Sequence, residues 1–340
     1  MARIIDVARE AGVSRTTVSR YINKHIELPA ATGARIDAAI KRLNYRPNLL
    51  AKSLSTGRSD LIGVVAPDIS NPFFGKLISA IEDEAEKHGY SVLVSNSRGL
   101  LSKEIELITR LEDRHVDGLI LMTNISNDDG ALATFLAKYE NVVLLDEDVT
   151  GFIGSRVFVE NEQGAWQATQ YLIEAGHRCI GHIGGPEGLM STRERLGGYT
   201  RAMHENGLDA DRVFLGAHTR EFGAVATEQL LNGSDVPTAI FAGSDFLALG
   251  VIQKVRERGL RLPEDISLLG FDDMPFADLL APALTTIRQP DQELGSRAFL
   301  ALLGAINNHP PTTERLPTSL VERQSVARLV GMPIRASGTA

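Results

Sequence analysis

From residue 61 onward, short apolar runs rich in Val, Ile and Leu alternate with longer stretches whose apolar positions recur at helical spacing. The runs predict strands at Leu61–Ala66, Ser91–Ser95, Gly118–Met122, Val142–Leu145, Arg156–Val159, Ile180–Ile183, Ala239–Ala242 and Ile266–Gly270. Helices are expected between most of them, at Phe73–His88, Lys103–Arg114, Ala131–Lys138, Glu162–Glu174, Thr192–Asn206, Gly223–Leu231, Phe246–Arg258 and Glu293–Ile306. Alternation of this kind is the mark of parallel sheets with helices on both faces. About eight such units exceed one domain, so two similar α/β lobes are expected.

The first sixty residues follow a different pattern. Ile5, Ala8 and Ile4 recur at helical spacing around Asp6, Arg9 and Glu10, which gives a first helix with one apolar face. Gly12 stands where the chain leaves that helix, since it enters the left-handed region cheaply, and Ser14 is a good cap for the next one. The second helix carries Arg15, Thr16, Thr17, Ser19 and Arg20 outward, with Val18, Tyr21 and Ile22 facing in. Short hydroxylated side chains and guanidinium groups suit base edges and phosphates. Thr32 is expected to cap a third helix through Ala34, Ile36, Ala39, Ile40 and Leu43, and Pro47 to end the unit. Asn48 then opens about two turns of possible helix, too short to be stable alone, before the first strand.

Charge separates the two parts. Residues 1–58 hold eleven Lys or Arg against four Asp or Glu, a net of +7 in a chain whose total is −8, so the remainder carries −15. Positive charge confined to the segment with the two-helix motif is the footprint expected for phosphate contacts, and the acidic remainder should repel DNA. With 340 residues and 43% hydrophobic content the chain has ample material for more than one core. No apolar stretch approaches the ~18 residues of a membrane span. The N-terminus offers Asp6, Arg9 and Glu10 where a secretion signal needs an apolar run, so cytoplasmic residence is expected. The single Cys179 excludes an intramolecular disulfide and is expected as a small buried hydrophobe.

Ligands of open α/β sheets bind beyond the carboxyl ends of the strands. The polar residues there are Asp68 and Asn71 to Phe74, Asp146, Ser244 with Asp245, and Asp272 with Asp273, while Arg195 lies in a helix after another strand. Carboxylates that accept hydroxyl hydrogen bonds, one forked guanidinium and the aromatic Phe73 and Phe74 make a cradle for a polyol. Helix capping by the acids and core packing by the Phe pair are the competing readings. Enzyme signatures fail: there is no nucleophile elbow, phosphate-binding loop, zinc-protease helix or spaced glycine fingerprint, and the Gly184-Gly185-Pro186 turn lacks such a context. His177, Cys179 and His182 do not make a metal site, since Cys179 and His182 point to opposite faces of the expected strand. No cofactor is expected.

Eleven ordered motifs give the chain a resemblance over essentially its whole length. They are Asp6-Val-Ala, Val13-Ser14 with Thr17-Val-Ser-Arg20, Asn44-Tyr-Arg-Pro-Asn48, Asp68-Ile-Ser-Asn-Pro-Phe-Phe74, Val116-Asp-Gly-Leu-Ile120, Gly176-His-Arg178, Glu194-Arg-Leu-Gly-Gly-Tyr199, Leu262-Pro-Glu-Asp-Ile-Ser267, Gly270-Phe-Asp-Asp273, Leu284-Thr-Thr-Ile287 and Leu316-Pro-Thr. With these the chain resembles the lac repressor and gal repressor family of bacterial transcription factors. The resemblance implies a homodimer whose headpieces read a pseudo-palindromic double-stranded operator. It also implies a repressor of carbohydrate genes, controlled by a small sugar or sugar-acid effector. The implied domains are a headpiece at 1–47, a hinge helix and linker at 48–60, and a periplasmic-binding-protein-like core of two parallel-sheet lobes at 61–340. Lobe 1 is expected at about 61–160 and 289–320, and lobe 2 at about 161–288 and 321–335, with crossings near 160, 289 and 320.

By motif match, Arg15 and Thr16 would choose bases, while Thr17, Ser19, Arg20 and Asn23 would mainly hold phosphates, with Ser14, Tyr45 and Asn48 completing the DNA-contacting set. Leu54 would wedge into the central base step. The effector set carried over is Phe73, Phe74, Asp146, Arg195, His218, Ser244 and Asp272, of which Ser244 departs from the amide or Asp that many sugar-binding members have. The chain ends at Ala340 without the leucine heptads of tetrameric relatives, which favours a dimer. A periplasmic-type sugar-binding protein and an α/β enzyme with an appended DNA-binding domain are the rival readings.

Overall fold

A computed structural model describes residues 2–22, 26–45, 58–125, 130–233 and 235–329. The chain divides into two units, Met1–Asp60 and Leu61–Ala340.

In the first unit α1 (Ile4–Ala11), α2 (Arg15–Ile22) and α3 (Ala30–Arg42) close over Val7, Ala8, Ala11, Val18, Ile36 and Ala39. Gly12 ends α1 at φ +64°, and Ser14 Oγ accepts the Thr17 N–H at 3.0 Å, so the turn is built as the sequence indicates. Two details differ. Ile5 points outward and is 46% exposed, because Val7, two residues on and so on the opposite side of the helix, takes the inward place beside Ala8. Thr32 lies within the first turn of α3 instead of capping it: Pro29 supplies the flanking residue and its carbonyl accepts the Thr32 N–H at 2.8 Å. A proline lacks an N–H to satisfy and fixes φ near the helical value, so it starts the helix earlier than the threonine would. Tyr21 lies against Gly33, where a Cβ would come within 2.9 Å of its hydroxyl, and donates to Asp37 Oδ2 at 2.9 Å.

The second unit runs β1 (Leu61–Ala66), α4 (Pro72–Lys87), β2 (Ser91–Asn96), α5 (Leu101–Asp113), β3 (Gly118–Leu121), α6 (Ala131–Leu136), β4 (Val142–Leu145) and β5 (Ser155–Val159). It continues with α7 (Asn161–Glu174), β6 (Ile180–Gly184), α8 (Met190–Glu205), β7 (Val213–Leu215), α9 (Arg220–Leu231), β8 (Ala239–Ala242), α10 (Asp245–Glu257) and β9 (Ser267–Asp272). The last elements are β10 (Thr285–Arg288), α11 (Asp291–Ile306), β11 (Thr313–Leu316) and β12 (Ser319–Val321).

Two six-stranded sheets result. Lobe 1 has the order β11-β5-β4-β3-β1-β2, and lobe 2 the order β12-β10-β9-β8-β6-β7. Among the described residues every strand pairing is parallel except β10 with β12. The chain passes between sheets after β5, after β10 and between β11 and β12. Each sheet is covered on both faces by apolar clusters, which is why its strands read as continuous hydrophobic runs. The two-lobed parallel-sheet core expected from the alternation is therefore present.

Four strands escape a search for apolar runs: β7, β10, β11 and β12. Three are edge strands, and β10 spells Thr-Thr-Ile-Arg, whose buried threonines are admitted by specific partners. Thr286 Oγ1 donates to Asp245 Oδ1 at 2.7 Å, and Thr285 Oγ1 accepts the Arg323 N–H at 2.9 Å. Cys179 is half-buried, at the mouth of β6, with Sγ 3.9 Å from the Asp235 carbonyl; it is not the buried hydrophobe expected.

Candidate functional site

In the helical unit, Arg15, Thr16 and Arg20 are exposed on one side of α2, Thr17 and Ser19 are half-exposed, and Val18 is buried behind them. The face expected to meet DNA is thus free of core duty. The Ser14 hydroxyl is engaged by Thr17, through its N–H and its hydroxyl at 2.8 Å, and Tyr45 packs against the three-helix core. Asn23, Asn48 and Leu54 lie outside the described residues.

In the core unit a cavity opens where the carboxyl ends of both sheets meet. It is lined by Asn71, Phe73, Phe74, Asn124 and Asp146 from lobe 1 and by Ser191, Arg195, His218, Ser244 and Asp272 from lobe 2. All seven residues of the expected effector set come together there. Asn71, Asn124 and Ser191 were not in that set. Asn124 follows β3 and obeys the same strand-end rule. Ser191 sits in the first turn of α8, whose start the helical periodicity places later.

Each lining side chain is held by local structure. Asn71 caps α4 by accepting the Phe73 N–H at 3.0 Å, which fixes Phe73 and Phe74 in an edge-to-face pair with centroids 5.2 Å apart. Asp146 takes φ +74° and Asp272 φ +114°, conformations that turn their carboxyls off the strand ends at a backbone cost typical of functional sites. Arg195 is the hub. Its Nε donates to Asn161 Oδ1 at 2.9 Å, its Nη1 donates to the Gly243 carbonyl at 2.6 Å and lies 3.6 Å from Asp272 Oδ1, and its plane stacks on Phe271 at 3.9 Å. Gln289 Nε2 donates to the same Asp272 oxygen at 2.7 Å. The hinge residues Asn161 and Gln289, which follow two of the three crossings, therefore hold the ion pair from either side.

His218 closes over the Gly184-Gly185 turn: a Cβ at Gly185 would collide with its ring, so this glycine is required by close approach. Ser244 caps α10 by accepting the Leu247 N–H at 3.2 Å while also lining the cavity. Asp245, its neighbour, faces away. Its carboxyl accepts the Met274 N–H at 2.8 Å and the Thr286 hydroxyl at 2.7 Å, so it braces lobe 2 and is not part of the cradle. Asp68 closes its own turn through Ser70 at 2.9 and 2.7 Å, and Asp273 pairs with Arg288 and Arg323 at 2.7 Å each.

Burial sets the protonation states. It pushes Asp146 up to about 8 against the opposing Arg195 charge, and Asp272 up to about 6, again with Arg195 the main counterweight. Burial, aided by Arg195, pushes His218 down to about 3, so its ring is neutral. Asp146 Oδ1, His218 Nδ1, Thr192 Oγ1, Asn161 Nδ2 and Gln289 Oε1 are buried without a hydrogen-bond partner. Such a concentration of unsatisfied polar atoms around one cavity is what a site awaiting a polar ligand shows. Among the described residues no cluster of His, Cys, Asp or Glu is arranged to hold a metal ion.

A basic two-helix motif in one chain with a two-lobed core and a polar cavity at its strand ends defines a DNA-binding regulator with a ligand-binding core. Residues 3–48 match the family described as bacterial regulatory proteins, lacI family, and residues 169–326 match a periplasmic binding protein-like domain. The chain is 33% identical over 335 residues to the HTH-type transcriptional repressor PurR of Vibrio atlanticus (strain LGP32), covering 97% of this chain and 100% of that protein. The lac repressor dimer bound to operator and the anti-inducer ONPF superposes with a TM-score of 0.85 at 31% identity, over 96% of this chain and 99% of that one. A complex of the transcriptional regulator CelR with cellobiose gives 0.73 at 31% identity, over 96% and 100%. The chain belongs to the lacI family of bacterial regulatory proteins, transcriptional repressors with a ligand-binding core, and is not an enzyme. No helix among its described residues is long and apolar enough to cross a membrane.

Proposed function

We propose that the protein is a cytoplasmic homodimeric repressor that binds a pseudo-palindromic operator and is controlled by a neutral polyhydroxy effector, a sugar, in the interlobe cavity. In this reading Arg15 and Thr16 select bases, Thr17, Ser19, Arg20 and Asn23 grip phosphates, and Leu54 wedges into the central step. Phe73, Phe74, Asp146, Arg195, His218, Ser244 and Asp272 hold the ligand, joined by Asn71, Asn124 and Ser191. The lac repressor and CelR, which are solved with sugar ligands, support the class.

The observation that carries the neutral reading is the state of Arg195. Two of its nitrogens are committed, Nε to Asn161 and Nη1 to Gly243, which removes the side-on Nε/Nη2 fork that commonly clamps a carboxylate. Asp272 balances its charge, Asp146 is largely protonated at neutral pH, and His218 is neutral, so the cavity has no surplus positive charge for an anion. Hydroxyls, which both donate and accept, match the unpaired Asp146 Oδ1 and His218 Nδ1 of the cavity lining.

Isothermal titration of the full chain with neutral mono- and disaccharides, and in parallel with sugar acids and sugar phosphates, tests this. Saturable heat from a neutral sugar alone is expected. Tighter binding of an anionic sugar would replace the neutral reading.

A further inference from the structure

The two lobes are fastened by a contact that involves no ligand. Glu147 follows β4 in lobe 1, is 1% exposed, and reaches the start of α8 in lobe 2. Its carboxylate accepts the N–H groups of Met190 and Ser191, the latter at 3.2 Å, and the Ser191 hydroxyl at 2.6 Å. The first N–H groups of a helix have no partner within it, and the helix dipole favours a negative charge there, so α8 takes its cap from the opposite lobe. Around this point Met190 is buried in the lobe 1 cluster with Val149, Phe152 and Phe158. Arg315 on β11 grips Glu194 of α8 with two bonds, of 2.9 and 2.7 Å.

We propose that Glu147 is a ligand-independent clasp, which keeps the lobes closed over the cavity and holds α8, with Ser191 and Arg195, in the binding position before any effector arrives. A buried carboxylate that lost these donors would stand in an apolar surrounding, so opening the cleft requires Glu147 to be rehydrated first. Ser191, whose hydroxyl proton is committed to Glu147, presents only an acceptor to the cavity. The consequence for effector affinity rests on the reading of the cavity as the effector site; the clasp itself does not. A protein held closed in advance binds its ligand without a conformational tax.

Spin labels at Ile153 and Glu187, exposed residues of the two lobes beside the clasp, in a Cys179→Ser background of the full chain, report the interlobe distance without ligand. The parent is expected to give one narrow, short distance, and Glu147→Ala a longer and broader one. Glu147→Gln, isosteric, removes the negative charge from the α8 N-terminus and leaves a single oxygen to serve both N–H groups, and is expected to lengthen the distance even where the alanine variant fails to fold. A broad ligand-free distribution in the parent, or a folded variant whose distribution coincides with it, overturns the proposal. Because the distance is read with no ligand, failure to find any sugar that binds leaves this result standing.

Discussion

Arg195 joins most of the polar contacts of the cavity, reaching Asn161, Gly243, Asp272 and the Phe271 ring at once. Arg195→Ala is expected to abolish the effector response while operator affinity stays within about twofold of the parent, since fold and headpiece are separate units. Arg195→Lys keeps the charge but not the planar fork, and is expected to lose at least about tenfold in effector affinity by titration calorimetry. A full response from either variant removes Arg195 from the site. Glu104 makes a second residue-level prediction. It is fully buried behind the loop that carries Asn124 and, among the described residues, accepts hydroxyls from Thr123 at 3.0 Å and Ser97 at 3.3 Å. Burial raises its pKa from the usual carboxylate range to about 7. The native state therefore binds this proton more tightly than the unfolded chain, and stability falls as pH rises from about 4 to above 7, by up to about 3 kcal/mol. Glu104→Gln, neutral throughout, is expected to melt higher than the parent at pH 8 and to lose that advantage at pH 4.

At the scale of elements, what was legible in the sequence followed burial. Strands β1, β4 and β8 agree with their apolar runs residue for residue, because both faces of each are covered and every side chain must be apolar. The edge strands β11 and β12 and the threonine-bearing β10 break the apolar run with polar residues, and β7, Val-Phe-Leu, is too short to stand out. The same division holds in the cavity. Asp146, Ser244 and Asp272 stand at strand ends and were legible; Ser191 and the bracing amides Asn161 and Gln289 follow from tertiary contacts alone. The turn between α1 and α2 was legible through Gly12 and Ser14. Ser14→Ala removes the acceptor of the Thr17 N–H, and is expected to cost about 1 kcal/mol of headpiece stability, read as a lower denaturation midpoint with reduced operator affinity. Gly185→Ala drives a methyl into the His218 ring and is expected to weaken effector binding without changing operator affinity. An unchanged effector titration curve would show that His218 does not need its present place.

Across the whole molecule, charge and cavity divide the work. The segment 1–58 carries +7 and the remainder −15. Operator affinity should therefore fall steeply with salt through the headpiece, while a neutral effector should bind almost independently of salt. Coupling between the two of about 1 to 3 kcal/mol, the ordinary allosteric range, corresponds to a change of about 5- to 150-fold in operator affinity. The most direct test of this account is selection of fragmented host genomic DNA by the purified full chain at moderate salt, repeated with the neutral sugar that titrates the cavity. Enrichment of a pseudo-palindrome beside carbohydrate genes, altered at least about fivefold by that sugar, is the predicted result. A pseudo-palindrome whose recovery no cavity ligand changes would contradict it.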